Sequence, residues 1–347
     1  MPWLFLECSQ LKPQYWDLDG AMINGFLGNF GAQIIEISQF GAPEGYSLEA
    51  ISKIERKYEK LITNNDAERM PNIIIIMDES FSDLSVLGSE IKTAQEITPF
   101  VNSLHENTIK GYALSSVFGG GTEKSEYECL TGNSAALFGT NMVIYNLYIH
   151  EPIYSMASYL HKYNYYCEAT HPYFGSGWSR TTVYPLLGFD KMTFIDDYPQ
   201  KNLVRDFVSD QEMFEYVIHE YEARDSSKPW FLFGVTMQNH GSYSYSGPNY
   251  SPSIELRGYE QSYDDVEQYL GLINETDKAV EILINYFSNQ EEPVLILFFG
   301  DHLPNLNHDF YREVHGGEFN TLAEKELQYK VPFFIWANYD INEELSN

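Results

Sequence analysis

Six side chains in this sequence have the chemistry needed to handle a phosphoryl or sulfuryl group: Thr122, Glu79, Asp301, His302, His171 and His240. Thr122 follows Gly119-Gly120-Gly121 and opens the run Glu123 to Leu130, whose good helix formers and early acids predict a helix start. Successive glycines let the backbone take positive φ and let a bulky ligand approach. The free N–H groups at a helix N-terminus attract anions, so a hydroxyl placed there would meet a phosphate or sulfate. By itself the same pattern also describes a surface loop with Thr122 as a simple N-cap. A threonine hydroxyl holds its proton too tightly to attack phosphorus unaided, but a divalent cation on its oxygen would lower that pKa and polarise the phosphoryl oxygens. Glu79, Asp301 and His302 offer oxygen and nitrogen donors that suit Mn²⁺ or Zn²⁺ better than Ca²⁺, with Thr122 completing the set. Taken alone, Asp301-His302 reads as a helix cap beside a satisfied strand-end histidine.

The elements that must position these groups can be read from hydrophobic periodicity. The run Ile73 to Met77 is β-branched and unalternating, as expected of a central parallel strand buried on both faces, and it ends at Asp78-Glu79. Further strands are predicted over Gly111 to Phe118, Tyr165 to Ala169, Trp230 to Val235, Val294 to Phe299 and Val331 to Ala337. Between them lie helix signals: Ser47 before Ile51, Ile54, Tyr58, Leu61 and Ile62; Thr98-Pro99; a helix from Pro152 through Leu160; Ser209 with Glu212; and a long helix from Val266 to Phe287. Alternating strands and helices predict an α/β fold with a mainly parallel central sheet flanked by helices. In such sheets ligands bind at the carboxyl ends of the strands. Glu79, Thr122, His171, His240, Asp301 and His302 all fall just after a predicted strand.

Composition narrows the function classes. With 50 acidic against 21 basic residues the formal net charge of the 347-residue chain is −29, which disfavours nucleic acid and favours cations. Cys8, Cys129 and Cys167 are too few for a disulfide framework and lack metal-ligand spacing. No apolar run approaches the ~18–20 residues that span a bilayer. The chain holds 27 tyrosines, and the stretch from Gly241 to Gly247 resembles a loop that stacks against sugars or partners, although tyrosine is equally ordinary core filling.

The segments Asn72-Ile73-Ile74-Ile75-Ile76-Met77-Asp78-Glu79-Ser80, Gly119-Gly120-Gly121-Thr122 with Ser125-Glu126-Tyr127-Glu128, and Gly300-Asp301-His302-Leu303-Pro304 carry a resemblance. Together they resemble the lipoteichoic acid synthase group, the phosphoglycerol transferase branch of the alkaline phosphatase and sulfatase superfamily. The resemblance implies a sulfatase-like α/β fold over 72–347, preceded by a membrane-proximal lead-in over 1–71. It also implies one bound divalent metal, usually manganese with zinc or magnesium as alternatives, held by Glu79, Thr122, Asp301 and His302. Thr122 would be the catalytic nucleophile, passing through a phosphoglyceryl-threonine intermediate. Trp178-Ser179-Arg180 resembles the family's Trp-Asn-Arg stretch, so Arg180 and Trp178 are expected to hold the glycerol phosphate, with His240 and His171 as further substrate contacts. Ser179 replaces the usual asparagine.

The implied partners are a phosphatidylglycerol-like lipid donor and an acceptor that is a glycerol phosphate polymer, a glycolipid or a glycan. The implied location is the outer face of a bacterial cytoplasmic membrane, reached through an anchoring segment missing here. Phosphoethanolamine transferases and phosphodiesterases of the same superfamily are the rival enzymes. A catalytically silent, glycan-binding ectodomain is the rival of a different class. Sulfatases proper are disfavoured, because Thr122 lies in no formylglycine motif.

Overall fold

The computed structural model describes residues 22, 25–28, 30–31, 45–58, 70–138 and 142–341. The chain forms two compact units, residues 1–69 with 136–142 and residues 70–135 with 143–347. In the first unit the described helix α1 runs over Leu48–Tyr58. It begins where expected, because Ser47 Oγ accepts the Ala50 amide at 3.1 Å. Leu61 and Ile62, expected to prolong it, lie outside the described residues, as does Cys8. Among the described residues no helix is long and apolar enough to cross a membrane.

The second unit is built on a seven-stranded sheet in the order β2-β9-β8-β1-β7-β3-β4. Its strands are β1 (Asn72–Asp78), β2 (Thr108–Leu114), β3 (Tyr166–His171), β4 (Lys191–Phe194), β7 (Trp230–Val235), β8 (Val294–Gly300) and β9 (Lys330–Ala337), while β5 (Leu203–Val204) and β6 (Phe207–Val208) form a separate hairpin. β1 lies parallel between β7 and β8, with Met77 opposite Val235 on one side and Phe299 on the other. β3 continues the parallel arrangement to β7 and β4. β9 pairs antiparallel with β8 and with the edge strand β2, so in this sheet β9 alone runs against the others. The sheet is therefore mainly parallel, as its sequence predicts.

Side chains alternate across the sheet and feed two cores. Ile74, Ile76, Leu232, Ile296 and Phe298 pack on one face with Met213, Phe214, Val217, Leu270, Ile273 and Leu283. Those partners come from α4 (Asp210–Ala223) and α5 (Asp264–Phe287). On the opposite face Ile75, Met77, Phe231, Phe233 and Val235 meet Leu130 of α2 (Thr122–Thr131) and Val183 and Leu187 of α3 (Arg180–Leu187). Burial on both faces explains why β1 and β7 read as unbroken apolar runs.

Some boundaries differ from expectation for identifiable reasons. β2 stops at Leu114 rather than Phe118, because its partner β9 begins only at Lys330 and the ladder ends with the Ser115 amide donating to the Tyr329 carbonyl at 2.8 Å. The helix expected from Pro152 begins at Met156, where Ser155 and Ser158 form a reciprocal capping box. Gly300 ends β8 where a methyl group would lie 1.8 Å from the Phe81 carbonyl oxygen. We expect Gly300→Ala to destabilise the domain by about 3 kcal/mol, through overpacking against backbone that cannot yield. A melting temperature equal to that of the parent chain would refute this.

Candidate active site and metal centre

Because β1 and β8 are adjacent and parallel, the residues just beyond them emerge together. Glu79, Asp301 and His302 are all buried, and one ligand atom from each lies within 4.8 Å of the others. The Ser80 and His302 amides both donate to Asp301 Oδ1, at 2.7 and 2.8 Å, leaving Oδ2 without a partner. His302 Nδ1 donates to the Leu303 carbonyl at 3.0 Å, which turns Nε2 into the pocket, and although burial opposes it, Asp301 and then Glu79 raise its pKa. Nε2 lies 3.2 Å from Asp301 Oδ2 and 3.7 Å from Glu79 Oε1. Burial, and then Glu79, push the Asp301 carboxyl up to about 7 against the opposing pull of His302. A carboxylate oxygen and an imidazole nitrogen that face each other in a buried acidic pocket without a hydrogen bond of their own are groups that a divalent cation would satisfy. Carboxylate oxygens with one imidazole nitrogen fit Mn²⁺, Zn²⁺ or Mg²⁺.

Thr122 reaches this pocket from a third direction. Gly119, Gly120 and Gly121 all take positive φ, at 67, 146 and 92°, which L side chains rarely adopt. The Gly119 amide donates to the Leu303 carbonyl at 2.9 Å, while the Ser115 and Ser125 hydroxyls donate to the Asp301 carbonyl at 2.7 and 2.8 Å. These bonds pin the glycine turn to the exit of β8. Gly121 is the N-cap of α2, so Thr122 is its first helical residue and not the cap. Its Oγ1 donates to Glu79 Oε2 at 3.3 Å.

Beneath the pocket lies a polar layer that sequence reading did not single out. Asn239 Nδ2 and Thr236 Oγ1 donate to Asp78, at 2.9 and 3.1 Å, and Thr236 Oγ1 also accepts the Glu79 amide at 3.0 Å. Asp210 accepts from Gln238 Nε2 at 3.2 Å and from the Thr276 hydroxyl. Burial, and then Asp210, raise the Asp78 carboxyl well above its ordinary value, while burial pushes Asp210 up to about 7. The folded pKa of Asp210 thus exceeds its unfolded value. The unfolded chain binds fewer protons between about pH 4 and 7, and stability falls as pH rises through that window. Asp210→Asn, which cannot titrate, is expected to flatten the fall by roughly 1–3 kcal/mol. Urea melts of both proteins across that range check it, and parallel curves would refute it.

The substrate-side residues lie at the same edge. His171 ends β3, and its Nδ1 donates to the Val235 carbonyl at 2.9 Å. Burial, then Arg180, hold its imidazole well below the usual value, so it is neutral and presents Nε2 as an acceptor. Arg180 begins α3, buried, with Nε 2.9 Å from Glu126 Oε1 and Nη2 also on that oxygen. The Tyr184 hydroxyl donates to the other Glu126 oxygen at 2.8 Å. The guanidinium edge expected to grip two phosphate oxygens is thus engaged by a carboxylate. Glu126 stands in a segment that carries the resemblance, yet its pairing with a residue 54 positions away leaves no local signal. Trp178 and Ser179 both take left-handed backbone, each with φ 55°. His240 is exposed, its Nδ1 donating to the Gly241 carbonyl at 2.6 Å. Tyr243, expected in a sugar-stacking loop, is instead core: it is 6% exposed and its hydroxyl donates to the Asn239 carbonyl at 2.9 Å. Cys129 and Cys167 are free, and Cys167 is buried.

Comparison with known proteins agrees with this architecture. A family model described as Sulfatase matches residues 71–347. A Rhizobium meliloti (strain 1021) protein, named provisionally for cyclic beta-1,2-glucan modification, is 28% identical over 335 residues, covering 94% of this chain and 50% of the relative. The chain spans about half the length of the curated relatives it matches, at 50, 42 and 45%. Among solved structures, the Streptococcus pyogenes phosphoglycerol transferase GacH, in complex with sn-glycerol-1-phosphate, aligns with a TM-score of 0.71 and 25% identity, over 86% of this chain and 77% of that one. The lipoteichoic acid synthase LtaP from Listeria monocytogenes shares the fold, with a TM-score of 0.62 at 21% identity, over 78% of this chain and 66% of that one. The chain belongs to the sulfatase family.

Proposed function

We propose that this chain is the catalytic part of a metal-dependent phosphoglycerol transferase, moving glycerol phosphate from a phosphatidylglycerol-like lipid to an alcohol acceptor. The observation that carries the reading is the placement of Thr122 Oγ1 at 3.3 Å from Glu79 Oε2, at a helix N-terminus beside the unpartnered Asp301 Oδ2 and His302 Nε2. Similarity to a phosphoglycerol transferase whose structure holds sn-glycerol-1-phosphate supports it. A divalent cation held by Glu79, Asp301, His302 and Thr122 would lower the pKa of the threonine hydroxyl and offset charge on the phosphoryl oxygens.

The chain's own groups carry the proton and bond changes. Glu79 Oε2 takes the Thr122 proton as Oγ1 bonds to phosphorus and the bond from phosphorus to the diacylglycerol oxygen breaks. Protonated His240 gives its Nε2 proton to that leaving oxygen. In the second half the acceptor hydroxyl loses its proton to His240 as its oxygen bonds to phosphorus, the Oγ1–phosphorus bond breaks, and Glu79 returns the first proton to Thr122. His171, neutral with Nε2 outward, accepts a hydrogen bond from a glycerol hydroxyl. Arg180 contributes positive charge through Nη1, and Trp178 supplies a wall. The enzyme works at the outer face of a bacterial membrane, where its lipid donor resides.

Mass spectrometry of the Thr122 peptide, after quenching Mn²⁺-loaded protein with phosphatidylglycerol, tests the reading. A glycerol phosphate adduct on Thr122 is expected. An adduct only from phosphatidylethanolamine would make the chain a phosphoethanolamine transferase. Diacylglycerol release with no adduct would indicate a phosphodiesterase with another nucleophile. Neither adduct nor release would leave a silent binding ectodomain.

A further inference from the structure

Beside the two substrate-side histidines lies a band of aromatic rings that the donor half of the reaction does not use. Tyr173 stands 6.2 Å from His171, its ring 4.9 Å from Phe174 and 6.1 Å from Phe207, and Phe207 lies 5.4 Å from His240. Phe174 is 52% exposed, while Tyr173 and Phe207 are half-buried. The band therefore presents ring surface to solvent from the loop after β3 to the β5–β6 hairpin, between His171 and His240.

The hairpin is held in place from below. Arg205 takes a left-handed backbone, φ 57°, and buries its guanidinium. It donates to the carbonyls of Gln238, His240 and Ser242 at 2.7, 2.7 and 2.8 Å. Its carbon Cζ lies 5.5 Å from the Phe207 ring centroid. Phe207 and the His240 loop are thus fastened to one another, so the aromatic band keeps its shape without a ligand.

The charge around the band is negative. Asp196 and Asp197 are exposed just after Ile195, whose amide donates to the Tyr173 carbonyl at 3.0 Å, and exposed Asp206 precedes Phe207, in a chain of net charge −29. Carboxylates around ring faces accept hydrogen bonds from hydroxyls and repel phosphodiester chains. Ring faces stack on the C–H faces of pyranose rings.

We propose that the acceptor is a neutral sugar, seated on the shelf formed by Tyr173, Phe174 and Phe207 with a hydroxyl directed at His240. The assignment of this sugar as acceptor rests on the transferase reading, and it selects a glycan over a glycerol phosphate polymer. The shelf itself is tested without the lipid donor, so its fate is separable from that of the reaction.

Isothermal titration of the wild-type chain with a neutral β-linked glucan oligosaccharide, no donor present, is expected to give saturable binding. Phe174→Ala and Phe207→Ala are each expected to weaken it roughly 3- to 10-fold, as loss of one stacked ring would. A glycerol phosphate oligomer is expected to bind more weakly than the glucan. Phe174 is half in solvent, so its variant carries the test alone should Phe207→Ala melt early. No saturable glucan binding, unchanged affinity in a folded ring variant, or preference for the glycerol phosphate oligomer would each overturn the shelf. Failure to find an adduct on Thr122 would overturn the transferase reading and leave ring-dependent glucan binding intact.

Discussion

Thr122→Ala is expected to lower phosphoglycerol transfer by roughly 10⁴- to 10⁶-fold, the scale on which removal of a covalent nucleophile acts. Thr122 is the nucleophile of the proposed reaction, so the bond to phosphorus is lost with its hydroxyl. Its neighbours hold protons and charge. The fold should tolerate the change, because alanine is the best helix former and Thr122 is the first residue of α2, with Gly121 making the cap. A cap lost with the hydroxyl would cost about 1 kcal/mol, but Thr122 does not occupy that position. Activity should therefore collapse while the melting temperature stays within a degree or two of the parent chain. Thr122→Ser restores a hydroxyl at the same atom and should recover a measurable fraction of turnover. Transfer that survives in Thr122→Ala would remove this residue from the chemistry.

Loss of the cation should be nearly as severe, and stability reports it independently of turnover. Chelated protein keeps Asp301 Oδ2 and His302 Nε2 buried without partners, and Glu79 crowds Asp301 with like charge. Adding Mn²⁺ at about a hundred times its dissociation constant is expected to raise stability by about 2.7 kcal/mol. Asp301→Ala removes the central ligand and with it most of that increment. It also orphans the buried Ser80 and His302 amides that Oδ1 accepts, so it should melt below chelated wild type. Metal content by elemental analysis and thermal melts with and without Mn²⁺ check both statements. An equal Mn²⁺-induced shift in Asp301→Ala would place the cation elsewhere.

The sheet was readable because its central strands are buried on both faces and declare themselves as apolar runs. Ile73 to Met77 and Trp230 to Val235 were predicted almost to the residue for that reason. The metal-site candidates were readable because parallel topology forces residues after different strands to one edge. What stayed hidden depends on partners distant in sequence. Lys191–Phe194 is a short strand with little pattern, made a strand by pairing with β3. The Arg180–Glu126 pair and the Asp78, Asp210 and Asn239 layer are visible only once the sheet has folded. Pro185 lies inside α3 and argues against a helix in any local reading. The Gly241 to Gly247 stretch misled because tyrosine serves both core and surface: Tyr243 filled the core, while Tyr173 and Phe174 took the exposed place.

The neighbouring strands β1 and β8 are separated by most of the domain's sequence: Ser80 bonds Asp301 across 221 positions. A polypeptide emerging from the ribosome or an export channel carries Thr122 long before it carries Asp301 and His302. Throughout that interval Glu79 is present, but its two companion ligands are still to come. The pocket is thus assembled only once β8 has joined β1, late in the synthesis of the domain.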